Sequence, residues 1–246
     1  MFRILTYNVH RCVGTDRRLD VDRVAAVIAA QEPDIVALQE VDVGRARTGG
    51  VDQAVAIAER LGMSSRFNAT IRVEEEAYGD ALLTALPERL VKAAPLPGYR
   101  RLPQLEPRGA LWVAVKLGQA ELQVINTHLG LVPREQQLQA QALVGHEWLA
   151  HPEHRHPTIL LGDFNAGVRT AVYRSFVHRL QDARRAAEHR PRAATFPSRM
   201  PFGRIDHVFV SEGVRVRSVY VPDDRLARKA SDHLPLVVDF DLEPGG

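Results

Sequence analysis

Residues 158–165 read Thr-Ile-Leu-Leu-Gly-Asp-Phe-Asn. Residues 158–161 form a short apolar run of the kind shown by a strand covered on both faces, and a glycine then carries the chain into Asp163 and Asn165. An acid and an amide at the end of a buried strand cost free energy unless they are paired or put to use, so the run predicts a strand whose end faces a polar site.

Outward from this stretch the same arrangement recurs. Residues 2–9 are β-rich and alternating, with Asn8 and His10 at their end, and residues 34–40 are apolar until Gln39 and Glu40. The run at 122–127 leads into Asn126 and His128, and Asp232 with His233 stands before the closing run 234–240. Arg204-Ile-Asp206-His207 opens a strand, residues 204–210, where the other clusters end one.

Helices are predicted between these strands. Asp20 is placed to cap one with apolar positions Val21, Val24, Ala25 and Ile28, and Pro33 stops it. A second covers residues 51–61, with Gly62 ending it. Pro133 opens a long third helix through Gln137, Leu138, Gln141, Ala142, Val144 and Trp148 towards Leu149. Between 64 and 128 lie short strands, notably 81–85, 111–117 and 122–127, separated by Pro, Gly and charged turns and antiparallel in flavour. No repeat or linker interrupts the pattern, which predicts one domain over residues 1–246, an α/β (α+β) fold with helices covering stacked sheets. Strand ends converge in layered folds of this kind, so the polar clusters are expected to share one mouth.

At 246 residues a single domain buries roughly 75% of its unfolded surface, and 45% apolar with 25% charged residues is an ordinary globular composition. The formal charge of +2 gives no strong field for polyanions, although the arginines of 179–204 form a local basic stretch. Cys12 is the sole cysteine, which excludes an intrachain disulfide and any cysteine-built zinc site. No basic n-region with a long apolar core opens the chain and no apolar run approaches 18 residues, so a cytoplasmic protein is expected.

Carboxylates and amides suit a hard, oxygen-preferring ion such as Mg²⁺ or Mn²⁺, which polarises a phosphoryl oxygen, while the imidazoles supply proton transfer and orientation. In family order, Thr6-Tyr-Asn8, Leu38-Gln-Glu40, Tyr78-Gly79, Asn126-Thr-His128, Gly162-Asp163-Phe-Asn165, Arg204-Ile-Asp206 and Ser231-Asp232-His233 resemble the motifs of the endonuclease/exonuclease/phosphatase superfamily over nearly the whole length. The resemblance implies a four-layer α/β/β/α sandwich of two mainly antiparallel sheets, with the site across its open edge. It implies Glu40 as the main metal carboxylate, Asn8 and Asp232 as further ligands, and Asp163 as the residue that orients or deprotonates the attacking water. Asn165 would hold that water or a phosphate oxygen. His233 would stabilise the pentavalent phosphate, with Asp206 fixing its tautomer, and His128 would contact another phosphate oxygen.

His10, Tyr78 and Arg134 are candidate substrate contacts. His151, His154 and His156 read as a surface loop, not a metal tract. Asp80 stands where many similar proteins carry Asn, and Val41-Asp42 follows Glu40 where abasic-site endonucleases carry Thr-Lys, which disfavours abasic DNA. The stretch from Leu38 to Gln53 resembles small bacterial members known only as metal-dependent hydrolases. The expected substrate is a phosphate ester, either nucleic acid or a phospholipid or small phosphodiester. A lipid would call for an apolar rim such as Pro95, Leu96, Pro97 and Tyr99, and a nucleic acid for stacking aromatics, of which the chain has only 6%. The rival readings are a catalytically silent binding module of the same fold and a metal-free hydrolase built on Cys12.

Overall fold

The structure, a computed structural model, describes residues 1–155, 157–188 and 194–243. Among the described residues, twelve strands pair into two six-stranded sheets. The first contains β1 (Phe2–Asn8), β2 (Ile35–Val43), β3 (Ser64–Val73), β4 (Glu76–Thr84), β11 (Val214–Tyr220) and β12 (Leu236–Leu242), in the order β11-β12-β1-β2-β4-β3. The second contains β5 (Glu88–Pro95), β6 (Gly109–Leu117), β7 (Ala120–His128), β8 (Thr158–Asp163), β9 (Gln181–Asp182) and β10 (Asp206–Val210), in the order β5-β6-β7-β8-β10-β9. Each sheet has one parallel pair at its centre, β1 with β2 and β7 with β8, and antiparallel pairs elsewhere.

Alternation along the central strands explains why the sheets stack. Ile35 and Ala37 face the other sheet, where they meet Leu111, Val113, Ile159 and Leu161, whereas Val36 and Leu38 face outward onto helices. Helices α1 (Val21–Ala29) and α2 (Gln53–Leu61) cover the first sheet, and α3 (Pro133–Val144) and α4 (Ala171–Val177) cover the second. The result is the expected four-layer sandwich. Asp20 accepts from the Arg23 N–H to cap α1, Asp52 caps α2 through Val55, and Gly62 ends α2 in the left-handed conformation.

The third helix differs from its sequence reading. It stops at Val144 because Gly145 leaves the helical region, and Trp148 and Leu149 are buried by turns that follow. Its buried face is Glu135, Gln136, Gln139, Ala140 and Leu143, not the stripe through Leu138 and Val144. The two amides explain the rotation, since Gln136 donates to the carbonyls of Gly130 and Asn165, and Gln139 accepts from the Gly130 N–H. This helix therefore holds the two loops that follow β7 and β8. The strand predicted from Arg204 begins at Asp206, and Arg204 turns away to the carboxylate of Asp182. Elements α4, β9, α5 (Ala183–Ala186), β11 and α6 (Ala227–Ala230) were not anticipated.

Candidate active site

The carboxyl ends of β1, β2, β7 and β8 and the start of β10 meet at one edge of the sandwich. On β2 the pairing with β4 slips between Leu38 and Val41, and Glu40 takes φ +58°, a left-handed conformation that an ordinary residue adopts only when its surroundings enforce it. Asn126 enforces it from the opposite sheet. Its Nδ2 donates at 2.9 Å to the carbonyls of Leu38 and Ala81, and its Oδ1 accepts from Gln39 at 2.7 Å. The bulge turns Glu40 towards the edge, where its Oε1 accepts from Asn8 Nδ2 at 3.0 Å.

Asn8 also donates to Asp163 Oδ2 at 3.0 Å, linking the two sheets. Asp163 is fully buried, and its Oδ1 accepts from the Asn165 N–H at 2.9 Å, with Asn165 at φ +48°. Gly162 before it lies at φ +141°, and a Cβ there would stand 1.8 Å from the Thr127 carbonyl, so the approach of β7 to β8 admits only glycine. Burial and the neighbouring Asp206 push the Asp163 carboxyl above the usual carboxylate range.

His233 stands opposite. Its Nδ1 lies 2.9 Å from Asp206 Oδ2 and its Nε2 3.6 Å from Asp163 Oδ2. Burial opposes the imidazolium, but Asp206, by charge and hydrogen bond, then Asp163 and Asp232, outweigh it and raise the pKa. The Thr195 hydroxyl donates to the same Asp206 oxygen, and the Phe196 ring packs on the imidazole at 4.8 Å between centroids.

His128 is held in the opposite charge state. Its burial, then the charges of Arg108 and His233, keep it well below its ordinary value, so its 3.6 Å approach to Asp163 is that of a neutral ring. Arg108 Nη1 lies 3.0 Å from His128 Nδ1. A guanidinium can only donate, so Nδ1 accepts and the ring proton sits on Nε2. Asn165 Nδ2, which also donates to the Leu129 carbonyl, lies 3.1 Å from that Nε2, so two donors face each other and an acceptor such as a phosphate oxygen shared between them would relieve the conflict.

Among the other candidates, His10 donates its backbone N–H to Asn8 Oδ1, and its Nδ1 stands 3.8 Å from Asp232 Oδ1. His10, Arg11 and Cys12 all take positive φ, a strained turn beside the site. Cys12 itself is buried, with its thiol pushed up to about 12 by burial, which makes it a poor nucleophile. Tyr78 is buried with the Arg47 guanidinium over its ring. Arg134 is exposed on the first turn of α3, bonded to Gln137 and not to the site. His151 and His154 pack against the Trp112 ring at 5.8 and 5.4 Å, and His156 lies outside the described residues.

Three residues of the site escaped the sequence reading. Arg108, Thr195 and Phe196 lie outside the strand-end pattern. The available signal for Arg108 was its place immediately before the apolar run that pairs with the Asn126–His128 strand.

The family model described as the endonuclease/exonuclease/phosphatase family matches residues 5–233. The chain belongs to that family. Its members' sandwich is what the two sheets form here, and the seven short motifs fall within the matched span. A curated relative, YbhP of Escherichia coli (strain K12), is 25% identical over 252 residues, covering 98% of this chain and 96% of that protein. The crystal structure of an endonuclease/exonuclease/phosphatase from Beutenbergia cavernae superposes with TM-score 0.76 at 26% identity, over 98% of this chain and 71% of that one. A Bacteroides thetaiotaomicron mannosyl-6-phosphatase shares the fold, with TM-score 0.79, 20% identity and coverage of 98% and 100%.

Proposed function

We propose that the protein is a divalent-metal-dependent phosphoesterase that hydrolyses a phosphodiester by in-line attack of water. The observation that carries this reading is the convergence of Asn8, Glu40, His128, Asp163, Asn165, Asp206 and His233, joined by a chain of contacts of 2.9 to 3.6 Å, at one sheet edge.

The residues fit a hard divalent cation. Glu40, Asp163, Asp206 and Asp232 outnumber the nearby cations Arg108 and His233 even with the Asp80 carboxyl kept protonated by its burial, and among the described residues one buried oxygen each of Asp80 and Asp206 has no hydrogen-bond partner. A site with that surplus of carboxylate repels a phosphate unless a cation joins it. Single ligand atoms of Asp163, Asp206 and His233 lie within 4.8 Å of one another, a spacing that also suits a metal. We assign the cation to Glu40, Asn8 and Asp232, the ligand set the family resemblance implies, and leave His233, whose Nδ1 is held by Asp206, to the phosphate. Mg²⁺ or Mn²⁺ bound there supplies charge neutralisation and polarisation of the phosphoryl oxygen.

The chain's own groups supply the rest. Asp163, oriented by Asn8 and the Asn165 N–H and raised in pKa, accepts the proton of the attacking water. His233, aligned by Asp206, presents Nε2–H to the charge that grows on the phosphate. His128 Nε2–H and Asn165 Nδ2 hold a further oxygen.

Turnover of bis-p-nitrophenyl phosphate and p-nitrophenyl phosphate with Mg²⁺, Mn²⁺ or EDTA tests the reading. Metal-dependent hydrolysis, faster on the diester and lost by at least about 10²-fold in Asp163→Ala, is expected. Activity indifferent to both EDTA and Asp163 sinks it. Absence of turnover together with absence of Mn²⁺ binding favours the silent binding module.

A further inference from the structure

Residues 195–204, ahead of β10, close on themselves as a small hairpin. Phe196 and Gly203 bridge, and the base is tied to the site by the Thr195 hydroxyl on Asp206, the Phe196 ring on His233, and the Ser198 N–H on the Asp232 carbonyl at 2.7 Å. Its tip does the opposite of what an apolar sequence normally does. Met200 is 73% exposed and Phe202 76% exposed, with Pro201 between them. Leu131, in the loop that leaves β7 after His128, is 71% exposed. Among the described residues the only other large hydrophobic above 70% is Met1 at the chain's start. Val168, exposed in the loop that leaves β8 after Asn165, joins Met200, Pro201 and Phe202 around a cavity of about 630 Å³ that Arg199 and Arg204 also line.

Each of these three apolar loops carries an exposed arginine beside it: Arg134 near Leu131, Arg169 next to Val168, and Arg199 next to Met200. None of the three lies within salt-bridge distance of a carboxylate among the described residues; Glu135, which follows Arg134, is buried, and Asp223 is the one acid lining the cavity against Arg184, Arg199, Arg204 and Arg228. Apolar tips with cations at their bases are the arrangement that an anionic lipid surface rewards, because the tips enter the acyl boundary while the guanidiniums stay among the headgroups. Nucleic acid would satisfy the arginines but leave three aliphatic tips in water, and Phe202 alone offers a stacking face.

The geometry points to the hairpin 195–204 and the loops carrying Leu131 and Val168 as a docking surface for an anionic phospholipid bilayer, which presents lipid phosphodiesters to the adjacent site. This deepens the phosphoesterase reading by naming the source of the phosphodiester and rests on it for turnover alone, since docking needs no chemistry.

The test is therefore a binding measurement made in EDTA. The intact protein, Met200→Ser/Phe202→Ser and Phe202→Trp are mixed with vesicles of phosphatidylglycerol and phosphatidylcholine, or of phosphatidylcholine alone. Wild type should sediment with the anionic vesicles and release with salt. The double variant, with an unchanged melting temperature because both side chains are exposed, should bind at least about tenfold more weakly. Emission from the indole introduced by Phe202→Trp should shift to the blue on the anionic vesicles, against a constant background from Trp112 and Trp148, which are already buried. Equal binding by wild type and the double variant, or no binding by wild type, overturns the inference. So does a single-stranded oligonucleotide that binds wild type and displaces the vesicles. Vesicle binding in EDTA, followed by no hydrolysis of any diester once Mg²⁺ or Mn²⁺ is supplied in excess, would leave the docking surface standing and remove the phosphoesterase reading instead.

Discussion

Arg108 reaches His128 from the loop ahead of β6 and has only N–H groups to offer, so it fixes where the imidazole proton resides and keeps the ring neutral. Arg108→Met should give His128 mixed tautomers in ¹⁵N-resolved NMR, move its titration upward, and lower kcat/KM by about 100-fold, the loss expected for one preorganised donor. A single tautomer and unchanged titration in the variant would show that Arg108 only packs there. Asp80 carries a second residue-scale prediction. Burial, opposed by Arg108 and reinforced by Glu40 and Asp163, pushes its carboxyl up to about 8. A carboxyl whose folded pKa lies above its unfolded value makes the native state bind the extra proton, so its contribution to stability falls as pH rises from about 4 towards 8. Asp80→Asn removes that loss. Melted in EDTA, the variant should gain at least about 1 kcal/mol, roughly 2–4 °C, at pH 8, and much less at pH 5. An equal gain at both pH values would assign the effect to packing.

The element that orders the site is the bulge in β2, and its support comes from the other sheet. Asn126 spends both amide atoms on that bulge. Asn126→Ala should therefore cost about 3 kcal/mol, because two carbonyls and the Gln39 amide lose a buried partner. Asn126→Asp, nearly identical in shape, should cost at least as much at pH 7, since it faces two carbonyls with acceptors. An aspartate variant that melts like wild type would show that the shape of residue 126, and not its hydrogen bonds, holds the bulge. This element also marks where sequence reading stops. The strands around Asn8, Glu40, His128 and Asp163 were legible because an apolar run ending in polar residues is a local signal. The Asn126 bonds join residues 88 and 45 positions apart, and no local pattern encodes them. The end of α3 was misread for a related reason. Gln136 and Gln139 look like solvent-facing positions by type, yet they are buried to hold the loops of Gly130 and Asn165.

At the scale of the molecule, the chain's connectivity makes the two sheets inseparable. The first sheet is assembled from residues 2–84 together with 214–242, so the last strand lies against the first, with Phe2 opposite Phe240, while the second sheet uses the chain between. The inner faces of both sheets then bury one shared core, Ile4, Ile35, Leu82, Val238 and Phe240 against Leu111, Val113, Val124, Ile159 and Val208. Neither sheet can keep its apolar inner face out of water without the other, so residues 1–246 should unfold as a single unit in urea. Fluorescence of Trp112 and Trp148, both packed on the second sheet, reports one half of the sandwich, and far-UV circular dichroism reports all of it. Coincident transitions with one midpoint are expected, and removal of β12 should abolish both because it strips β1 and β11 of a common neighbour. Separate midpoints for tryptophan and backbone signals would mean that the second sheet with α3 and α4 folds without the first. In that case the site, which draws Asn8 and Glu40 from one sheet and His128 and Asp163 from the other, would be the seam along which the molecule opens.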